Sequence, residues 1–108
     1  MLNSNTSVLD RRVTITDDHQ TFPYEAGWAL EATWFVQTEG DHPALSLRPQ
    51  TSPDGLAWVD IGPAVELGVD TMISRIPATH FGGWLRLVVE GATATSPATV
   101  LTHLVLKG

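Results

Sequence analysis

The sequence contains no cysteine, six basic residues against twelve acidic ones, a single tyrosine and no long apolar run. Without cysteine there is no disulfide framework, no thiolate zinc site and no cysteine nucleophile, and redox chemistry carries no information about compartment. The formal net charge of −6 removes the basic footprint that phosphate backbones and anionic bilayers attract, so neither nucleic acid nor a membrane is an expected partner. The apolar runs at 34–36 and 87–89 fall far short of the ~20 residues needed to span a bilayer. No apolar block of signal-peptide length precedes Asp10, Arg11 and Arg12, and the expectation is a soluble chain without leader or anchor.

What is present is enough apolar surface for one core: 108 residues, 43% hydrophobic and 17% charged, fit a single domain rather than a disordered chain. The dominant period is two. In 28–36, Trp28, Leu30, Ala32, Trp34 and Val36 alternate with Ala29, Glu31, Thr33 and Phe35, which predicts a long strand over 28–38 with one buried face. Leu45 and Leu47 against Ser46 and Arg48, and Leu85, Leu87 and Val89 against Arg86 and Glu90, repeat the pattern. Gly and Pro punctuate the chain at intervals of about eight to twelve residues, the spacing of antiparallel sandwiches and barrels. The chain thus reads as all-β, an antiparallel β-sandwich of jelly-roll type with about eight or nine strands. Residues 1–10 form an N-terminal arm and 11–108 the sandwich domain. Strands are expected near 12–16, 20–24, 28–38, 44–51, 57–61, 64–69, 71–76, 84–90 and 99–106, with room for one short helical turn at 77–81.

Pro53, Asp54 and Gly55 form the sharpest local signal. Proline sets φ for the first central turn position, aspartate bonds nearby backbone, and glycine accepts positive φ, so a hairpin turn with a bulge is expected. A calcium loop built on Asp54 and Asp60 would need oxygen ligands where Leu56 and Trp58 stand.

The remaining polar residues give little chemistry. Asp17 and Asp18 sit in a polar loop, and Glu31, Glu66 and Glu90 occupy outward positions or strand ends, which is the solvated-surface pattern rather than a convergent acid pair. His19, His42, His80 and His103 show no helical or strand ligand spacing. Pooling His19, Asp17 and His42 across two loops is the alternative to exposed loop histidines. No serine stands in a Gly-x-Ser-x-Gly elbow, and Gly82-Gly83 lacks the lysine and helix of a phosphate loop. No catalytic residue, metal or cofactor is expected.

The tryptophans are more informative. Trp28 and Trp34 share the alternating face expected in the core. Trp84 aligns with Arg86 opposite Leu85, Leu87 and Val89, placing an aromatic and a guanidinium on the outward face as protein interfaces do. In the last strand Val100, Leu104 and Leu106 oppose Leu101 and Val105, so both faces are apolar and a cover is expected, from the arm or from another subunit. The interface candidates are accordingly Trp84, Arg86, Val8, Leu9, Leu104 and Leu106. Sugar-binding sandwiches also use exposed aromatics, so Trp58, His80 and Trp84 are the alternative ligand contacts.

The stretch 45–62, LSLRPQTSPDGLAWVDIG, followed by RIPATHFGGWLRLVVEG at 75–91 and a last strand carrying His103-Leu104-Val105, resembles small β-sandwich proteins encoded among phage and prophage structural genes. It is similar, more weakly, to discoidin-like carbohydrate-binding sandwiches. The resemblance covers the chain from Trp28 onward and departs from the pattern at Asp41-His42-Pro43 and at Gly82-Gly83. It implies a non-catalytic, virion-associated module of the capsid-decoration or tail-associated kind, found in the virion or the cytoplasm, whose partners are itself or a larger assembly. The alternative it implies is a carbohydrate-binding module with a glycan partner.

Overall fold

The computed structural model describes residues 3–108. Ten strands form two antiparallel sheets: β1 (Ser4–Ile15), β2 (His19–Gln20), β3 (Tyr24–Glu25), β4 (Glu31–Glu39), β5 (Leu45–Ser52), β6 (Val59–Asp60), β7 (Val65–Leu67), β8 (Ile73–Thr79), β9 (Trp84–Glu90) and β10 (Ala98–Lys107). One sheet runs β1-β10-β4-β8; in the other β9 and β5 are central, flanked by β2 and β3 on one side and by β6 and β7 on the other. Counting β2 with β3 and β6 with β7 as interrupted single strands gives four strands per sheet, with chain neighbours mostly in opposite sheets. That is the jelly-roll order. No helix occurs among the described residues, and none therefore is long and apolar enough to cross a membrane.

Alternation builds the core. Ala32, Trp34, Val36 and Thr38 of β4 point inward while their odd neighbours stay half-open. Trp34, Leu104, Leu106, Leu45, Leu47, Leu85 and Leu87 fill the space between the sheets, each under 2% exposed. Pro49 lies in central β5 without breaking it. Leu87, opposite Pro49 in β9, makes its backbone bonds to Thr21 on the far side. The proline nitrogen therefore faces the gap between β6 and β7, where no ladder bond is lost.

Several expectations change. The anticipated arm is not separate: residues 4–10 belong to β1, which pairs along β10 from Ser4↔Lys107 to Ile15↔Ala98, so the boundary at 10 falls inside a strand. Met1 and Leu2 of that arm lie outside the described residues. Edge pairing also means that this segment extends the sheet and does not cover its outer face. The long strand starts at Glu31 rather than Trp28; Trp28 and Leu30 lie before it, 47% and 74% exposed, and Trp28 is not a core residue. Alternation continues through the turn because parity ignores where pairing stops. Residues 77–79 extend β8 instead of forming a helical turn, with Pro77 tolerated on an edge strand. Leu104 and Leu106 are 1% and 0% exposed and Leu9 is 9% exposed. All three project into the core and cannot touch a partner, because they share β10's and β1's inward parity.

One side between the sheets is laced by polar pairs. Tyr24 Oη shares a 2.7 Å hydrogen bond with Ser7 Oγ and accepts one from Asn5 Nδ2 at 3.0 Å. His19 Nε2 lies 3.0 Å from Oδ1 of the nearly buried Asp10. The β1 backbone reaches this position through two register shifts, flanked by Arg12 at φ 51°. The hydrogen bond to Asp10 holds the His19 pKa above the ordinary 6.5, with the Asp10 charge adding and partial burial opposing. A folded pKa above the unfolded one stabilises fully below 6.5, and the stabilisation disappears as pH rises through the folded value. The urea midpoint is therefore expected to fall across that window, and His19→Gln to flatten the difference. Parallel pH profiles for the two proteins would refute the pairing.

Candidate functional site

The outward side chains of β5 and β9 form a continuous surface on the sheet that contains them. It begins at the hairpin joining β5 to β6. Ser52 Oγ accepts the Gly55 amide at 2.8 Å and donates to Asp54 Oδ1 at 3.0 Å. Asp54 Oδ1 also accepts the amides of Leu56 at 2.8 Å and Ala57 at 3.0 Å. These two amides, then Ser52, hold the Asp54 carboxyl below its ordinary pKa. Oδ1 is thus taken up by the turn's own donors, and the segment is a turn. Gly55 sits at φ +80°, and a β-carbon there would stand 3.4 Å from the Trp84 indole, so the turn backbone lies directly against that ring.

The hairpin register places Gln50 opposite Asp60, and β5–β9 pairing places Gln50 opposite Arg86. A chain of bonds follows. Arg86 Nε donates to Gln50 Oε1 at 2.8 Å, and Gln50 Nε2 donates to Asp60 Oδ1, also at 2.8 Å. Arg48 Nη1 reaches Asp60 Oδ1 at 3.2 Å, and Arg48 Nε donates to Glu90 Oε1 at 2.6 Å. The Arg86 guanidinium carbon lies 4.4 Å from the Trp58 ring centroid, a cation–π stack. Burial, and then the charge of Arg48, lower the Arg86 pKa, while Glu90 and Asp60 raise that of Arg48. Each link fixes the next, so Trp58, Arg86 and Trp84 are held in place by neighbours that are themselves bonded.

Gly82, in the pair before Trp84, has a local reason. A β-carbon on Gly82 would lie 2.9 Å from the Ser52 carbonyl oxygen. The Gly82 amide donates to Thr51 Oγ1 at 2.8 Å, and that hydroxyl donates to the Trp84 carbonyl at 2.9 Å. The chain entering β9 is thereby clamped onto the end of β5.

Of the sequence candidates, Trp84, Arg86 and Trp58 share this surface. His80, at φ 57°, lies instead beside an open groove between β8 and the β6–β7 edge, with Val59, Ile61, Val65 and Ile76 along it. Val8 is 38% exposed on the opposite sheet. His19 is engaged by Asp10, and His42 sits between the carbonyls of Pro43 and Thr71, so the loop pool of His19, Asp17 and His42 is not assembled. Among the described residues no group of three or more metal-ligating side chains converges. Sequence reasoning missed Gln50, Arg48 and Asp60. Their signal was available, since a turn centred on 54–55 puts 50 across from 60 and Arg48 shares Gln50's outward parity.

No protein-family model and no curated protein matches the sequence. Solved structures do. The SPBc2 prophage-derived protein YomS superposes at TM-score 0.64 and 10% identity, over 100% of this chain and 96% of its own. The PBSX exported protein XepA gives 0.63 at 9% identity, over 98% of this chain and 36% of XepA. The chain shares its fold with YomS and XepA. It spans about a third of XepA and nearly all of YomS. A family two carbohydrate esterase from Cellvibrio japonicus is similar at TM-score 0.50 and 12% identity, the match covering 34% of that enzyme. At these identities the likeness is one of fold.

Proposed function

We propose that the chain is a non-catalytic structural module of phage type that assembles, with itself or onto a larger particle, through the surface built by Trp84, Arg86 and Trp58. The observation that carries this is the bonded chain from Glu90 to Trp58. Its carboxylates and amide immobilise Arg86 and, through it, the Trp58 indole beside Trp84, the residue types that dominate protein contacts when held rigid. The fold likeness to phage and prophage proteins supports the same reading. A glycan-binding module is the second reading, favoured by the two indoles standing beside amide and carboxylate groups on one surface.

Native mass spectrometry and electron microscopy of the chain at micromolar concentration separate the two. Assembly predicts species larger than the monomer, reduced by Trp84→Ala with Arg86→Ala. A strict monomer that binds a glycan array and loses that binding on Trp84→Ala would overturn the structural reading in favour of the second.

A further inference from the structure

We infer that the Asp54–Gly55 bond is a latent site of spontaneous backbone isomerisation and that the Ser52 hydroxyl keeps it closed. Of the seven aspartates in the chain, only Asp54 precedes glycine. The others precede arginine, aspartate, histidine, isoleucine or threonine, whose side chains crowd the amide nitrogen that must react. Glycine has no β-carbon to hinder it and gives the backbone the freedom to turn. Asp54 is also exposed, so water can leave and return.

The step needs no co-reactant. The Gly55 amide nitrogen attacks Asp54 Cγ, a C–N bond forms, and the carboxyl OH leaves with the amide proton as water, closing a cyclic imide. Water then adds back to either imide carbonyl. Addition at Cγ breaks the new bond and restores aspartate. Addition at the main-chain carbonyl breaks the original peptide bond and leaves isoaspartate: the main chain now runs through Cβ and Cγ, and the old carbonyl carbon becomes a free carboxylate. In both cases the bond to Gly55 that survives regains its N–H, and nothing is oxidised or reduced.

The turn blocks ring closure at its geometric centre. In the imide, Cγ takes the place of the amide proton in the plane of the Gly55 nitrogen. In the turn that direction is filled by Ser52 Oγ, which accepts the Gly55 amide at 2.8 Å and belongs to a fully buried residue. The same hydroxyl accepts the Asp54 amide at 3.2 Å and donates to Asp54 Oδ1 at 3.0 Å, so it holds both reacting groups. The Leu56 and Ala57 amides draw that carboxylate oxygen farther along the turn, at 2.8 and 3.0 Å. These two amides and then Ser52 favour the carboxylate, whereas the protonated acid is the form that loses water. A β-carbon on Gly55 would stand 3.4 Å from the Trp84 indole, so a main chain lengthened by one carbon here presses on that ring. This last consequence rests on the function proposed above; the guarded bond does not.

The test is the rate at which isoaspartate accumulates at position 54 in the folded chain at mildly acid pH, read by isoaspartyl methyltransferase labelling and located by peptide mapping. Ser52→Ala is expected to raise that rate about tenfold, the effect of losing a hydrogen bond to a charged or reacting group. Val36→Ala, a truncation at a fully buried position in the other sheet, is expected to melt earlier without isomerising faster. An unchanged rate in Ser52→Ala overturns the inference, and so does a slower one, which would make Ser52 a proton relay. Equal acceleration in Val36→Ala also overturns it, since global opening would then set the rate. Should Ser52→Ala fail to fold, hydrogen exchange in the unaltered chain decides. The Gly55 amide is expected to exchange about tenfold or more slowly than in the unfolded chain, and exchange at the unfolded rate overturns the guard. In aged Ser52→Ala, converted chains are expected among the unassembled molecules; an even distribution would uncouple the turn from the Trp84 surface. A chain that never assembles removes the proposed docking and leaves the guarded bond standing.

Discussion

Trp34→Ala is expected to lower the melting temperature more than any other single truncation in the chain. Trp34 is 0% exposed in central β4, with Leu104 of β10 and Ile76 of β8 as its cross-strand neighbours. Deleting an indole from such a site costs about 3–5 kcal/mol, from lost transfer energy and the cavity left behind. Small domains have only about 5–15 kcal/mol in total. At roughly 4–8 °C per kcal/mol, the expected fall is about 12–40 °C in scanning calorimetry. Trp34→Phe should be far milder, because the Trp34 Nε1 is buried without a hydrogen-bond partner and phenylalanine removes that unsatisfied donor along with part of the ring. Trp28→Ala tests the contrast. Trp28 shares Trp34's parity but is half-open against Gly108, so its truncation is expected to cost well under half as much. Equal losses at 28 and 34 would mean that the core is misassigned.

That pair also shows what is legible in such a sequence. Period-two alternation identified the interior of β4, β5 and β9, because a sandwich with one wet face per sheet imposes that period directly. It also identified Trp84 and Arg86 as outward neighbours and the hairpin at Pro53-Asp54-Gly55, whose geometry is local. It placed Trp28 inside because nothing in parity marks the residue where pairing begins. Leu104 and Leu106 were correctly paired on one face of β10, but two apolar faces leave the inward one undecided until β4 is docked beside it. The pairing of Asp10 with His19 joins strands of opposite sheets across one side of the sandwich, and no spacing along the chain encodes that contact. The links from Glu90 through Arg48 to Asp60 span three strands. Their alignment depends on two registers at once, of which the sequence reveals only the hairpin one.

Gly91→Ala is expected to be the second most damaging change, and its effect should reach the candidate site. Gly91 ends β9 at φ +119°, a conformation that L side chains rarely adopt, and an alanine β-carbon would fall 2.4 Å from the Ala44 carbonyl oxygen and 3.4 Å from Leu45 Cα. The backbone conformation alone costs about 1–3 kcal/mol for a non-glycine residue. The collision adds to this, because the obstacle is main chain at the start of β5 and has no rotamer into which it can withdraw. Relief requires the ends of β5 and β9 to separate where Ser46 pairs with Glu90. That movement stretches the 2.6 Å bond from Arg48 to Glu90, and with it the links through Asp60 and Gln50 that hold Arg86 over Trp58. A fall in melting temperature of ten degrees or more, about 2 kcal/mol at this size, should therefore accompany weaker assembly through Trp84 and Arg86. Gly83→Ala provides the comparison: nothing stands within 4 Å of its added carbon, and both readouts should remain near wild type. If Gly91→Ala melts with Gly83→Ala, the β5–β9 register does not depend on that glycine; if it melts early yet assembles normally, the bonded chain is not what positions the tryptophan surface.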